Sequence, residues 1–301
     1  MTRKLVSFDW AIKKLLRSKV NFGILEGFIS ELLFTDIKIM EVIESESNKE
    51  DKFNKFNRVD SKVTDSVGKI IIIEIHFERQ LDFLHRILFS SSKTILEHLR
   101  EAASFSEISK VISINILYFE FGEGDDYIYH GKTKFIGMHN KKELELSESQ
   151  KKLYSVEKVA DIYPEYYLIE VSNFDNIAKN TLDEWIYFLK NEEIKDGFNA
   201  KGLNEAKKKL DILKLNESER LRYEAYQYQL HQNASMYESS YLDGERKGRE
   251  KGKEEGREEG REEGAKNKGI KIAKKMLLKD ISIEDIIEMT DLTKDEIENL
   301  K

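Results

Sequence analysis

Hydrophobic residues fall into two rhythms along the chain. Phe8, Ile12, Leu15 and Leu16 in SFDWAIKKLLRSK have the spacing of one helical face, and GILEGFISELLF repeats that spacing in a second helix. Extended segments follow: IKIMEVI, RVDSKVT, KIIIIEIH, VISINILYF and DYIYHGKTKF predict strands, the four isoleucines of the third implying a strand buried on both faces. Between the third and fourth, residues 78–101 return to helical spacing through Leu81, Leu84, Leu88, Ile95 and Leu99. EYYLIEVSNF predicts one further strand, placed just after the chain's single proline, Pro164, and helices continue to about residue 240. Helices, then strands interrupted by a helix, predict a mixed α/β sheet domain.

The pattern breaks at DGERKGREKGKEEGREEGREEGAKNKG, where glycine recurs every four residues from Gly244 to Gly264. Four residues turn an α-helix through about 400°, so these glycines wind around a helix instead of making one seam. Each costs about 0.8–1.0 kcal/mol relative to alanine, against a few tenths gained from pairs such as Glu254–Arg257 and Glu258–Arg261. The segment is expected to be a charged, partly helical linker or a helix ordered by self-association. The last stretch predicts three short helices, with capping-box spacing at Ser282/Asp285 and Thr293/Glu296. From Asp280 onward eight acids face two lysines, which disfavours a DNA reader and favours packing or oligomerisation. The expected organisation is a domain over residues 1–240, with a helical extension from about 176, then the glycine-repeat segment 241–269 and a small helical module at 270–301.

The sharpest chemical signal is RVDSKVTDSVGKIIIIEIH. Asp65 and Lys69 enclose a three-residue loop in which Gly68 can take the left-handed position, so the hairpin is centred on Val67. In that register Asp60 faces Glu74; His76 and Lys62 share their side, while Val63, Ile71, Ile73 and Ile75 take the other. Two opposed carboxylates on an apolar hairpin repel unless something compensates. A divalent cation does so, and oxygen ligands beside a nitrogen base suit Mg²⁺ or Mn²⁺ in phosphodiester hydrolysis. Alternatively the acids reach water or pair with Lys62 and Arg58.

Composition narrows the setting. With 40% hydrophobic positions, 16 Phe and 13 Tyr in 301 residues, the chain can bury a core. No cysteine is present, which excludes disulfides and thiolate metal sites, and no apolar run reaches about 18 residues, so a cytoplasmic protein without membrane contact is expected. The net charge of -7 argues against a generally basic nucleic-acid coat, although Arg3, Lys4, Lys13, Lys14, Arg17 and Lys19 face only Asp9 in the first 20 residues. Arg79, Arg86, Lys93 and Arg100 recur every seven residues and, on one helix, would form a row able to follow phosphates; Asp82 and Glu97 can also neutralise it. GEGDD at 122–126 is expected to be a hairpin turn, not a phosphate loop.

Asp60 and Glu74-Ile75-His76, fourteen positions apart by motif count, with DWAIKKLL before them and FLHRILFSSSK after, resemble the Rpn family of recombination-promoting nucleases and transposases, a branch of the PD-(D/E)XK nucleases. The resemblance covers about residues 5–240. It implies a PD-(D/E)XK-like mixed β-sheet flanked by helices, with a helical C-terminal extension, and Mg²⁺-dependent cleavage of DNA. By that pattern Asp60, Glu74 and the backbone carbonyl of Ile75 are the expected metal ligands. Asp9 matches the N-terminal helix acid, Lys13 its basic companion and Arg86 a basic residue on the following helix; Lys13, Arg79 and Arg86 are the expected phosphate contacts. His76 departs from the family, which usually has glutamine there, and from the wider superfamily's lysine. A largely neutral imidazole can accept a proton or ligate metal but lacks a steady positive charge; Lys62 can supply that charge or form a salt bridge to Asp60 or Glu74. The expected function is a metal-dependent DNA endonuclease of recombination or mobile elements, homo-oligomeric through its C-terminal region. The alternatives are a catalytically degenerate nuclease fold used for interaction or oligomerisation and a nucleic-acid-binding regulator using the C-terminal helices.

Overall fold

The computed structural model describes residues 5–14, 16, 18–43, 61–99 and 104–300. Helices α1 (Phe8–Lys14) and α2 (Phe22–Leu33) precede strands β1 (Ile39–Val42), β2 (Ser61–Asp65) and β3 (Ile70–His76). Helix α3 (Phe83–His98) leads to β4 (Val111–Leu117) and β5 (Ile128–Gly131), α4 (Glu148–Tyr154) and β6 (Glu165–Glu170). Then come α5 (Thr181–Asn191), α6 (Leu203–Lys209), α7 (Glu217–Leu277), α8 (Ile283–Thr290) and α9 (Lys294–Glu298). The chain divides within α7 into two compact units, residues 1–224 and 225–301. Among the described residues no helix is long and apolar enough to cross a membrane.

The strands form one mixed sheet in the order β1-β2-β3-β4-β6-β5. β2 and β3 are antiparallel, β3–β4 and β4–β6 parallel, and β5 closes the edge antiparallel to β6. The segment GEGDD is therefore not the turn of a β4–β5 hairpin, because β6 inserts between those strands. Asp126 caps it locally, its Oδ1 accepting from the N–H of Tyr127 at 2.7 Å. The hairpin of β2 and β3 has the register expected from its loop: Ser61 faces Ile73, Lys62 faces Ile72 and Val63 faces Ile71. Gly68 has φ +81°, and Asp65 Oδ1 accepts from the N–H groups of Val67 and Lys69 at 3.0 and 2.8 Å. A left-handed glycine and a carboxylate acceptor together fix this loop.

β3 and β4 are buried along their whole length, which explains their isoleucine content. Alternation divides their side chains between two faces. Ile71, Ile73, Ile114 and Ile116 lie on one, fully removed from solvent. The helical layer contributes a cluster in which the Phe8 ring meets Phe28, Trp185 and Phe188 edge-on at 5.5, 6.1 and 6.2 Å. Helix α3 covers the opposite face. Its N-terminal end packs Phe83 and Ile87 on Leu117, and Ile95 packs on Ile70, Ile72 and Val111.

This packing corrects the helix predicted for residues 78–101. Leu81 lies outside α3, and Leu84 and Leu88 are 55% and 54% exposed; the buried stripe is Phe83, Ile87, Ser91 and Thr94. Arg79 precedes the helix and so does not share a helical face with Arg86 and Lys93; Arg100 lies outside the described residues.

Both ends of the first unit meet. Leu5 bridges to Asp211, the Val6 N–H donates to the Leu210 carbonyl at 2.9 Å, and the Ser7 N–H donates to the Tyr223 hydroxyl at 3.2 Å. The Tyr223 ring, 1% exposed, packs on Trp10.

In the second unit the glycine repeat is helical throughout as part of α7. A Cβ placed on any glycine from Gly244 to Gly264 would meet nothing within 4 Å. Ion pairs along this stretch join Arg249 to Glu245 at 2.8 Å, Lys247 to Asp243 at 2.9 Å and Lys251 to Glu255 at 3.5 Å; the expected Glu254–Arg257 and Glu258–Arg261 pairs are not among them. The terminal helices have the predicted side-chain caps at Ser282 and Thr293 and fold over a small core of Ala273, Ile286, Leu292 and Ile297.

Candidate active site

The face under α3 is apolar at its two ends and polar in the middle. Strand alternation puts Glu74 and His76 on this face, and the parallel register sets Asn115 beside Glu74 and Leu117 beside His76. Helix α3 brings Ser90, Ser91 and Thr94 over the same level because its apolar residues Phe83, Ile87 and Ile95 are claimed by the clusters on either side. Glu74, His76, Ser91, Thr94, Ser113 and Asn115 are all at most 6% exposed. A polar layer this deep needs a reason.

Glu74 is its centre. The Ser90 hydroxyl donates to Oε1 at 2.6 Å, and His76 Nε2 stands 3.4 Å from Oε2, close enough for electrostatic attraction but outside hydrogen-bonding geometry. Burial pushes the Glu74 carboxyl up, but His76, the Ser90 hydroxyl and the Arg86 charge outweigh it and hold the group below the usual carboxylate range. The result is a buried carboxylate that stays ionised. Phe83 packs edge-on against the His76 ring at 4.9 Å and fixes its plane.

The other sequence candidates are distributed as follows. Asp60 lies outside the described residues, one position before the Ser61–Ile73 pair. Lys62 is 3% exposed, and its ammonium pairs with Glu97 of α3 at 2.8 Å, a partner not considered for it from the sequence. Lys93 also reaches Glu97, at 3.7 Å. Arg86 donates to Gln80 at 2.9 Å and contributes its charge to Glu74, whereas Arg79 is exposed in the segment between β3 and α3. Asp9 and Lys13 form an i,i+4 ion pair of 2.5 Å on α1. Ile75 lies between the two site residues on β3, its side chain turned to the opposite face.

Sequence reasoning did not single out Ser90, Ser91 or Asn115. Their signal is an interruption: a triple serine at inward-facing turns of an amphipathic helix, and Ser113 and Asn115 inside a strand otherwise made of Val, Ile and Leu.

Among the described residues three buried atoms of this layer have no hydrogen-bond partner: His76 Nε2, Ser91 Oγ and Asn115 Oδ1. Unpaired buried polar atoms cost about 1–3 kcal/mol each, so the layer suits a polar guest. One ionised carboxylate surrounded by oxygen and imidazole acceptors fits a hard divalent cation with its waters. Among the described residues no three His, Asp or Glu side chains form a metal cluster.

A family model described as PD-(D/E)XK nuclease family transposase matches residues 6–240. No curated protein and no solved structure matches the chain.

Proposed function

The chain belongs to the PD-(D/E)XK nuclease family transposases, and from that premise we propose that it is a divalent-metal-dependent endonuclease acting on DNA of recombination or mobile elements. One observation carries the reading: the Glu74 carboxylate is buried yet held ionised, among polar atoms that lack partners. Asp60, Glu74 and the Ile75 carbonyl are the groups that would hold Mg²⁺ or Mn²⁺. When bound, such a cation activates water and offsets charge on the scissile phosphate.

The chain's own residues have separable tasks. Ser90 orients the Glu74 carboxylate, leaving Oε2 on the His76 side. His76 places a ring nitrogen, Nε2, beside Glu74 Oε2, and Phe83 keeps the ring from rotating away. Arg86 and Arg79 offer guanidinium forks for phosphate oxygens, and Lys13 and Asp9 form a second charged pair on α1. Lys62, neutralised by Glu97, holds β2 against α3. The cytoplasm is the proposed compartment. Self-association through the second unit belongs to the same proposal, supported by the open glycine surface of α7.

Plasmid nicking tests the reading. Purified protein should nick supercoiled DNA with Mg²⁺ or Mn²⁺ and stop in EDTA, and Glu74→Ala or Asp60→Ala should lower the rate at least about 100-fold. Equal nicking by wild type and both variants would overturn it. A degenerate nuclease fold serving as an interaction protein is the second reading, favoured by one fact: the buried ammonium nearest the superfamily's lysine in kind, Lys62, is already bound to Glu97. That reading predicts no metal-dependent nicking by wild type.

A further inference from the structure

The residue beside Glu74 has received no role. Asn115 is fully buried at the centre of the sheet and shares its face with Glu74, its register partner on the neighbouring parallel strand. Its amide orientation is fixed: Nδ2 donates to the Tyr167 carbonyl at 3.4 Å, which can only accept, and to Ser113 Oγ at 3.0 Å. Oδ1 is thereby committed as an acceptor, and among the described residues it accepts from none. On α3 the Ser91 hydroxyl, also fully buried and unpartnered, belongs to the turn that follows Ser90, the donor to Glu74.

An interior strand position flanked by Ile114 and Ile116 would be filled more stably by an apolar residue unless its polar group acquires a partner. The register sets Asn115 beside Glu74, and Ser91 follows the serine that donates to it; water held by a hard cation is a strong donor in need of acceptors. Mg²⁺ in particular keeps several waters and binds through few carboxylates, so neighbouring acceptors decide how well the hydrated ion is held.

We propose that Asn115 is a positioning residue of the Glu74 site, whose Oδ1, assisted by Ser91 Oγ, accepts hydrogen bonds from the water of a divalent cation bound at Glu74. This rests on the metal-site reading above and adds a residue to it. Asn115 acts on the ion's water and makes no contact with DNA, so its effect belongs to metal affinity in the absence of substrate.

The test is Mn²⁺ titration of the full chain without DNA, followed by loss of the free-ion electron paramagnetic resonance signal, with melting in EDTA as a folding check. Asn115→Leu should weaken Mn²⁺ binding by about 10–100-fold, the range for lost outer-shell partners. Asn115→Asp restores an acceptor oxygen and should bind within a few-fold of wild type or tighter. Ser91→Ala, a small truncation that leaves the strand untouched, should weaken binding in the same direction and serves if Asn115→Leu does not fold. Wild-type affinity in both Asn115→Leu and Ser91→Ala would overturn the proposal while leaving the metal site intact, provided that Glu74→Ala abolishes binding. Equal weakening by Asn115→Asp and Asn115→Leu would also overturn it, since the effect would then be structural. If wild type binds Mn²⁺ no better than Glu74→Ala, the metal reading fails and takes this inference with it.

Discussion

Glu165 illustrates how a single buried carboxylate makes stability depend on pH. It is 6% exposed and receives Lys110 at 2.8 Å, His130 at 2.6 Å, Lys132 at 3.1 Å and the Tyr167 hydroxyl at 2.9 Å. Burial pushes its carboxyl up, but Lys110, His130 and Lys132 outweigh that effect and bring it from 4.5 down to about 2. A group with a depressed folded-state value stabilises fully above its unfolded value and loses that contribution as pH falls toward the folded one. Glu165→Gln should therefore lower stability at pH 7 by on the order of 2 kcal/mol, allowing for the solvent that reaches Lys132 and His130. The gap from wild type should narrow between pH 4.5 and about 2, as urea unfolding at a series of pH values will measure. A constant gap across that range would show that the substitution acts through packing. At this scale the candidate site was legible only where chemistry and periodicity meet in one segment. Glu74 and His76 stand out within a single strand, whereas Asn115 becomes a neighbour only through the β3–β4 register, and Ser90 only through the rotation of α3.

At the scale of elements, the strands were the most legible part, because each is a short run of β-branched residues bounded by turn chemistry, and all six are found. Order in the sheet was not. Nothing local in GEGDD announces that β6, more than thirty residues on, will insert beside β4. The bounds of α3 were misjudged for a related reason: its leucines mark the stronger apolar stripe, but the polar middle of the sheet face selects the stripe containing Ser91 and Thr94. Glycine positions in helices give the clearest element-level prediction, because two of them should respond to alanine with opposite signs. A Cβ on Gly27 of α2 would come within 2.8 Å of Gly202 Cα and collide with the Lys201 carbonyl, whereas one on Gly256 of α7 would meet open space. Gly27→Ala should destabilise the first unit by about 1–3 kcal/mol. Gly256→Ala should stabilise its helix by about 0.8–1.0 kcal/mol. Hydrogen exchange of the flanking amides reads both, and protection that moves the same way in the two variants would refute the contrast.

For the molecule as a whole, the proposal assigns chemistry to the first of its two compact units, residues 1–224, and association to the second, residues 225–301. A 61-residue helix whose six repeat glycines touch nothing is poorly stabilised by its own propensities, and a second copy is the simplest source of packing. Light scattering should find full-length protein as a dimer or larger. A chain ending at residue 240, which keeps Tyr223, should be smaller in subunit number yet retain metal-dependent nicking. A full-length monomer would remove association from the proposal. The placement of Tyr223 also orders events during synthesis. Leu5, Val6, Ser7 and Trp10 are made before every strand of the sheet, yet their partners Asp211, Leu210 and Tyr223 are made only after all of those strands. Until then Phe8, Trp10 and Ile12 have an incomplete surface to bury against, so the nascent chain carries an exposed apolar helix until Tyr223 is added. A transcript broken between the codons for His76 and Tyr223 would leave the Glu74 strand in a product still lacking that clasp, a natural handle for the cell's proteases.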